Sequence, residues 1–311
     1  LDKMICGKKI YKPQYIENKN NKICILVSIS KLKFMDTYYQ IIEGIADKCV
    51  NENDVLYFDD NYELMDDITL YTKKADKFLR RIEDIKNKYI GNKCFIIGNG
   101  PSLKMEDLKK LSGNITMACN TIIDLFEITD WRPTCFCFED INFINKYISN
   151  VDDLKYIVDN CEMVFSSINT EVYDNYCDSF TNLYFYYSKK DIKAEHFSED
   201  IGSVIYGCGT TLYTLFQIAA YMGMKEIYLL GVDFSFRKEI DQDNNLVINE
   251  SVDNHMKFMK QIEEGLYHKD LILKAFQRAK EYADEHDIKI YNATRGGKLE
   301  VFERVNFDDL F

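Results

Sequence analysis

Cys94-Phe95-Ile96-Ile97-Gly98-Asn99-Gly100-Pro101-Ser102-Leu103 is the stretch that decides the fold class. Four apolar residues without alternation suit a strand buried on both faces, the habit of parallel sheets. The run ends directly in a turn with two glycines, and Lys104 to Leu111 then reads as a short helix. The same punctuation recurs downstream. Ile115 to Cys119 reads as a strand running into Asn120, and Thr134 to Phe138 as another, ending in Glu139-Asp140. Met163 to Ser166 and Leu183 to Tyr186 have the same character. The helix Thr210 to Met222 feeds a strand, Glu226 to Leu230, that ends in Gly231-Val232-Asp233; the helix Leu271 to His286 feeds Ile288 to Tyr291. Strands alternating with helices predict an α/β fold with a doubly wound, mostly parallel, Rossmann-like sheet.

Upstream, Ile23 to Ile29, a helical stretch Tyr38 to Ala46 and Val55 to Phe58 form one β-α-β rhythm. One such unit cannot bury both faces of its sheet. Residues 1–62 are therefore expected to be a partial Rossmann-like unit, the end of a domain whose start lies outside the chain. Residues 63–90 read as a helical connector, and 91–311 as the main domain. Lys238 to Asp253, rich in Asn and Asp, reads as a long loop and a candidate lid.

The whole chain has 311 residues with 46% hydrophobic and 29% charged, ordinary globular composition that excludes disordered and fibrous classes. Lys and Arg number 39 against 51 Asp and Glu, a net charge of −12. Such a chain has no general attraction for nucleic acid or an anionic membrane and must bind any phosphate through local loops. Ten cysteines occur without a CxxC pair, most of them in strand-like runs where a free thiol acts as a small hydrophobe. This points to a reducing, cytoplasmic setting, no zinc and no disulfide framework. No apolar run reaches the roughly 20 residues that span a bilayer.

In open α/β sheets ligands sit beyond the carboxyl ends of the strands. The unusual residues of this chain fall there: Gly98, Asn99, Gly100, Ser102, Asn120, Asp140 and Asp233. The Gly98–Ser102 turn lacks the Lys of a Walker A loop and the third Gly of GxGxxG, whose position holds Leu103. It reads either as a ligand cradle or as a tight strand-to-helix turn, with a side chain at Gly100 obstructing ligand or backbone. Gly207-Cys208-Gly209-Thr210-Thr211 precedes an apolar helix; Thr210 and Thr211 would present hydroxyls to an anion, or simply cap the helix.

Ile97-Gly98-Asn99-Gly100-Pro101-Ser102-Leu103, Cys119-Asn120, Thr210-Thr211 and Lys225 to Phe234 together resemble two related groups. One is the bacterial sialyltransferases of glycosyltransferase family 42. The other is the MptE-like superfamily, named for 6-hydroxymethylpterin diphosphokinases and containing a bacterial surface-polysaccharide branch. The closing run Ile288 to Phe302 is similar to that branch. The resemblance implies a sialyltransferase-like fold and, in surface-glycan synthesis, transfer from a nucleotide-activated, CMP-linked, sialic-acid-like donor to a glycan acceptor. It assigns the nucleotide to Asn99, Gly100, Ser102 and Asn120, with Thr210 and Thr211 near ribose and phosphate. The sialyltransferases carry a phosphate-contacting Tyr after the motif that ends in Asp233-Phe234; here Ser235 and Phe236 stand instead.

Inverting transfer needs a base near neutral pKa for the acceptor hydroxyl, and the chain has four histidines. His286 ends the last helix, where a solvated cation is expected. His196 sits in a charged stretch with nothing convergent. His255, beside Asp253 and Asn254, and His268, whose distance to the last helix matches the sialyltransferase base, are the two candidates. The preferred reading requires no cofactor. The alternative, a diphosphokinase acting on a pterin-like alcohol, would hold Mg²⁺ through Asp140 and Asp233. A non-catalytic nucleotide-binding module is a third reading. A homo-oligomer is compatible with all of them.

Overall fold

The computed structural model describes residues 81–168, 170–240, 246–251, 253, 255–256 and 267–311, with four short strands nearer the start. The chain divides into two units, residues 1–77 and 78–311. In the first, β1 (Met4–Ile5) pairs antiparallel with β2 (Lys8–Lys9), and β3 (Ile25–Ser28) pairs in parallel with β4 (Val55–Phe58). These last two are the strands expected from the β-branched runs. The helix expected over Tyr38 to Ala46 and most of the connector lie outside the described residues.

In the second unit, β5 (Lys93–Ile97), β6 (Ile115–Cys119), β7 (Cys135–Phe138), β8 (Met163–Ser167) and β9 (Leu183–Tyr186) follow in sequence. A small parallel pair, β10 (Ser188–Lys190) and β11 (Ile205–Gly207), comes next, then β12 (Glu226–Leu230). β13 (Lys238–Ile240), β14 (Leu246–Ile248) and β15 (Tyr267–His268) form a separate three-stranded sheet, and β16 (Lys289–Asn292) and β17 (Glu303–Arg304) complete the list. The main sheet has eight strands in the order β17-β16-β12-β5-β6-β7-β8-β9, and every pairing in it is parallel. Its interior strands are buried on both faces, as their unalternating apolar runs require.

The strand order reverses at β5. From there the chain winds outward through β6 to β9, then returns to place β12 on the other side of β5, with Ile97 level with Leu230. A doubly wound sheet opens a crevice at this reversal, between the loops leaving the two neighbouring strands. The helices with bounds among the described residues are α1 (Met105–Lys110), α2 (Ile141–Tyr147), α3 (Val151–Asp159), α4 (Glu171–Tyr176), α5 (Thr211–Tyr221) and α6 (Lys269–Glu285), with 3₁₀ helices at Asn120–Glu127 and Phe307–Leu310.

Helix α5 is buried nearly all round, so its polar residues must be paired internally. Gln217 is fully buried and meets that demand: its Oε1 accepts from the N–H groups of Ser198 and Tyr206, and its amide donates to the carbonyls of Tyr206 and Tyr213. Gln217→Leu would orphan two buried N–H donors. It should lower unfolding stability by roughly 1–3 kcal/mol, read as an earlier urea midpoint at unchanged slope.

The Asn/Asp-rich stretch is not the plain loop its composition suggests. Leu246-Val247-Ile248 returns antiparallel against Lys238–Ile240, and β15 adds in parallel on the other side. The short Leu-Val-Ile run carries enough β preference to pair despite its polar neighbours.

Candidate functional site

The crevice at the reversal is floored by two loops in backbone contact. The Gly98 N–H donates to Leu230 O at 2.8 Å, and the Gly100 N–H donates to Gly231 O at 2.9 Å. A Cβ on Gly98 would overlap the Gly231 carbonyl. One on Gly100 would lie 2.7 Å from Gly231 O and overlap the Asp233 carboxylate. Both glycines are therefore required by protein packing, whatever binds above them. Gly231 and Phe234 themselves have φ of 69° and 52°, so the loop after β12 is held in a left-handed conformation at two points.

Asp233 locks the two loops together. Its Oδ2 accepts from the Ser102 hydroxyl at 2.8 Å and from the Ser102 N–H at 3.3 Å. With the Leu103 N–H donating to Gly100 O, the turn spends several of its donors internally. What it offers to a ligand is chiefly the side chain of Asn99. That amide donates from Nδ2 to Cys119 O at 3.2 Å and to Thr121 Oγ1 at 3.0 Å, which turns Oδ1 the other way. Asn99 Oδ1 is buried and has no hydrogen-bond partner.

Asn120, directly after β6 and between the two residues that the Asn99 amide bonds, repeats the pattern. Its φ of 51° swings the side chain back toward the crevice, and its Nδ2 donates to Thr211 Oγ1 at 3.2 Å. Asn120 Oδ1 is also buried and unpartnered. Thr210 is the N-cap of α5, its hydroxyl accepting from the Leu212 N–H. Asp140 is exposed and caps α2 by accepting from the Asn142 N–H at 2.8 Å. A cleft of about 1060 Å³, counting its space open to solvent, is bounded by Gly98, Asn99, Gly100, Asn120, Asp140, Thr210, Thr211, Asp233 and Ser235 among others. Ser102 stands behind this wall, on Asp233. No Lys or Arg is among the described residues that line the cleft.

Of the two candidate bases, His255 lines the cleft, and the N–H of its neighbour Met256 donates to Asn99 O at 3.0 Å. His268 lies exposed at the end of β15, outside the lining. His286 packs on Tyr282, rings 3.9 Å apart, with Nδ1 2.8 Å from Tyr282 O, so it is tied to its helix rather than simply solvated. His196 does have a convergent partner: its Nδ1 lies 3.0 Å from Asp191 Oδ2. Although burial alone would raise it, hydrogen bonds from the backbone and ring of His196 and the Lys193 N–H hold the Asp191 carboxyl below its ordinary pKa. The five-residue separation hid this pair, because only the loop's curvature brings the ring back.

Beside the cleft, Glu139 accepts from the hydroxyls of Thr214 and Tyr186 at 2.9 and 3.0 Å. Burial pushes its pKa up, and the two hydroxyl bonds partly oppose that rise.

One wall was not legible from motifs. Phe234, Phe236, Tyr267, Ile272 and Phe276 form an apolar, mostly aromatic end of the same cleft. Phe236 stacks on Tyr267 with ring centres 4.6 Å apart, and Phe234 meets Phe236 edge-on at 5.5 Å. The run Phe234-Ser235-Phe236 was a visible signal. Tyr267 arrives from a distant segment through the β13–β15 pairing and had none.

No curated protein matches the chain. Among solved structures, the MAf glycosyltransferase from Magnetospirillum magneticum AMB-1 aligns over 89% of this chain and 47% of its own, at 15% identity and TM-score 0.45. The chain thus spans about half the length of that protein. The sialyltransferase CstII from Campylobacter jejuni, in complex with cytidine-5'-monophosphate, aligns over 70% of this chain and 85% of its own, at 17% identity and TM-score 0.42. A family described as 6-hydroxymethylpterin diphosphokinase MptE-like matches residues 70–239, more than half of the chain, and the protein belongs to that MptE-like family.

Proposed function

We propose that this chain is a glycosyltransferase that takes a sugar from a nucleotide-activated donor, CMP-linked and sialic-acid-like, and passes it to a glycan acceptor in bacterial surface-glycan synthesis. The observation that carries the nucleotide is the pair of orphaned buried acceptors, Asn99 Oδ1 and Asn120 Oδ1, on two residues that line the cleft. A buried acceptor without a donor costs roughly 1–3 kcal/mol, so the site asks for a ligand bearing N–H or O–H groups at both points. A nucleobase amino group and ribose hydroxyls supply them. The N-terminus of α5, at Thr210 and Thr211, is the natural seat for a single phosphate in a cleft with no described cation.

Displacement at the sugar carbon would leave the nucleotide phosphate as leaving group. His255, lining the same cleft, would take the acceptor's hydroxyl proton, with inversion at the sugar carbon. A cytoplasmic setting, at the inner face of the membrane, suits this chemistry. No helix among the described residues is long and apolar enough to cross a membrane, and the described cysteines are buried free thiols. Partners would be donor and acceptor, with no nucleic acid, and a homo-oligomer is compatible with this reading.

The alternative, Mg²⁺-dependent diphosphoryl transfer to a pterin-like alcohol, is favoured by the family's description and by the two carboxylates on the cleft. Mg²⁺ would fall to Asp140 and Asp233, each of which already gives one oxygen to the fold. That leaves two oxygens, which suits an ion that completes its shell with phosphate and water. A non-catalytic nucleotide module would keep the Asn pair and lack turnover.

A thermal-shift panel of CMP, CDP, UDP, GDP, ATP and GTP, with and without Mg²⁺, separates the readings. CMP alone should raise Tm without metal. At 100 times its dissociation constant a ligand stabilises by about 2.7 kcal/mol, well within the assay's range. Asn120→Ala should erase most of that shift. Selective stabilisation by ATP or GTP only with Mg²⁺ would move the protein to the diphosphokinase reading.

A further inference from the structure

The cleft lining has a polar part and an apolar part, and the proposed nucleotide accounts for the polar part alone. The apolar part is Phe234, Phe236, Tyr267, Ile272 and Phe276, with Ser235 and His255 in the same lining. Phe236 and Tyr267 are each half-buried and stacked at 4.6 Å and 20°, so the pair is fixed as a slab rather than free to collapse into the opening. Phe234 braces the slab edge-on and is itself packed against Phe276. Lys269, bonded to Glu239 at 3.2 Å, stands near the Phe234 ring. Half-buried aromatic rings beside a binding cleft leave apolar surface that a ligand can cover.

We propose that the Phe236–Tyr267 slab is the subsite for the transferred group and takes the apolar C–H face of a pyranose ring. The inference rests on the glycosyl-transfer reading and names the determinant of its sugar. A pyranose is amphipathic, with axial C–H bonds on one face and hydroxyls round its edge. The slab supplies the apolar face, while Ser235 belongs to the same lining and suits the hydroxyl rim. Asn99 and Asn120 line the same cleft, so the subsite adjoins the proposed nucleotide contacts, as a bond between sugar and phosphate demands. His255 is common to the lining of that cleft, so the attacked carbon and the proton acceptor share one space.

The test compares CMP with CMP-N-acetylneuraminic acid and UDP with UDP-N-acetylglucosamine by calorimetry, on the wild-type chain, Phe236→Leu and Tyr267→Ala. Phe236→Leu keeps apolar volume and removes the ring, so it guards against loss of folding in the smaller variant. For whichever pair binds, the sugar-bearing form should bind more tightly than the bare nucleotide. Phe236→Leu should lose roughly tenfold in that advantage, the scale of one aromatic contact, while bare-nucleotide affinity stays within about twofold. If the nucleotide binds but the variants weaken both forms equally, or neither, the slab is not the sugar subsite and the inference falls. If no nucleotide binds the wild-type chain, the glycosyl-transfer reading itself fails. Binding of 6-hydroxymethylpterin that Phe236→Leu abolishes would overturn the pyranose assignment in favour of a flat heteroaromatic ring.

Discussion

His255→Ala should leave CMP affinity nearly unchanged and cut glycosyl turnover by about 10²–10⁴, the usual share of a general base. The separation is expected because the proposed nucleotide contacts are Asn99, Asn120 and the start of α5, and His255 is a separate residue of the same lining. The backbone link from Met256 N–H to Asn99 O survives the substitution, so the segment should keep its place. The pH–rate profile should also lose the limb that an imidazole imposes, since only the neutral ring accepts a proton. His268→Ala is the control: its ring lies exposed outside the lining, and its turnover should stay within about twofold of wild type. A loss confined to His268→Ala would reverse the assignment. If neither change slows a measured transfer, no histidine acts as base. If transfer is absent and Asp140→Asn abolishes an Mg²⁺-dependent nucleotide turnover, the diphosphokinase chemistry stands instead.

Gly100→Val should abolish nucleotide binding and lower Tm together. The sequence suggests that a side chain here would obstruct a ligand or backbone, with the fold surviving. The geometry settles which: the added carbon would strike the Asp233 carboxylate and come within 2.7 Å of the Gly231 carbonyl. A carboxylate can swing away, but a backbone carbonyl in a loop held at positive φ cannot. Opening the contact breaks the Gly100-to-Gly231 hydrogen bond and displaces Ser102 from Asp233. Overpacking of this kind costs about 1–3 kcal/mol, several degrees in Tm for a unit of this size. Calorimetric Tm and the CMP-induced shift measure the two halves. A variant that melts like wild type and still responds to CMP would show that the loops are not locked as described.

The strands were legible because parallel strands buried on both faces need runs that are mostly apolar and do not alternate, and β5, β6 and β12 have them. Their carboxyl-end residues could be named for the same reason: where such a run stops, Gly98, Asn120 or Gly231 begins. What each residue does there was less legible. Asp233 read as a strand-end residue and a candidate Mg²⁺ ligand, and only its bond to Ser102 shows that it braces the two loops. The His196–Asp191 pair and the Tyr267 contact depend on loops returning to the body, which no local spacing encodes. Small parallel strands such as β10 and β11 are too short to leave a periodic trace.

The floor of the cleft and its aromatic wall belong to different pieces of architecture. The floor is a seam of backbone atoms between two strands of the main sheet, where glycine is obligatory and almost nothing can vary. The aromatic wall draws Tyr267 from the separate three-stranded sheet, and Phe236 from the segment just before it. A lineage could therefore rewrite that appendage, exchanging one aromatic surface for another, without disturbing the seam that floors the cleft. Divergent chemistries within one family would then be expected to differ first in the appendage, and the sequence of that small sheet, rather than the glycine seam, would be the place to read which substrate a relative has adopted.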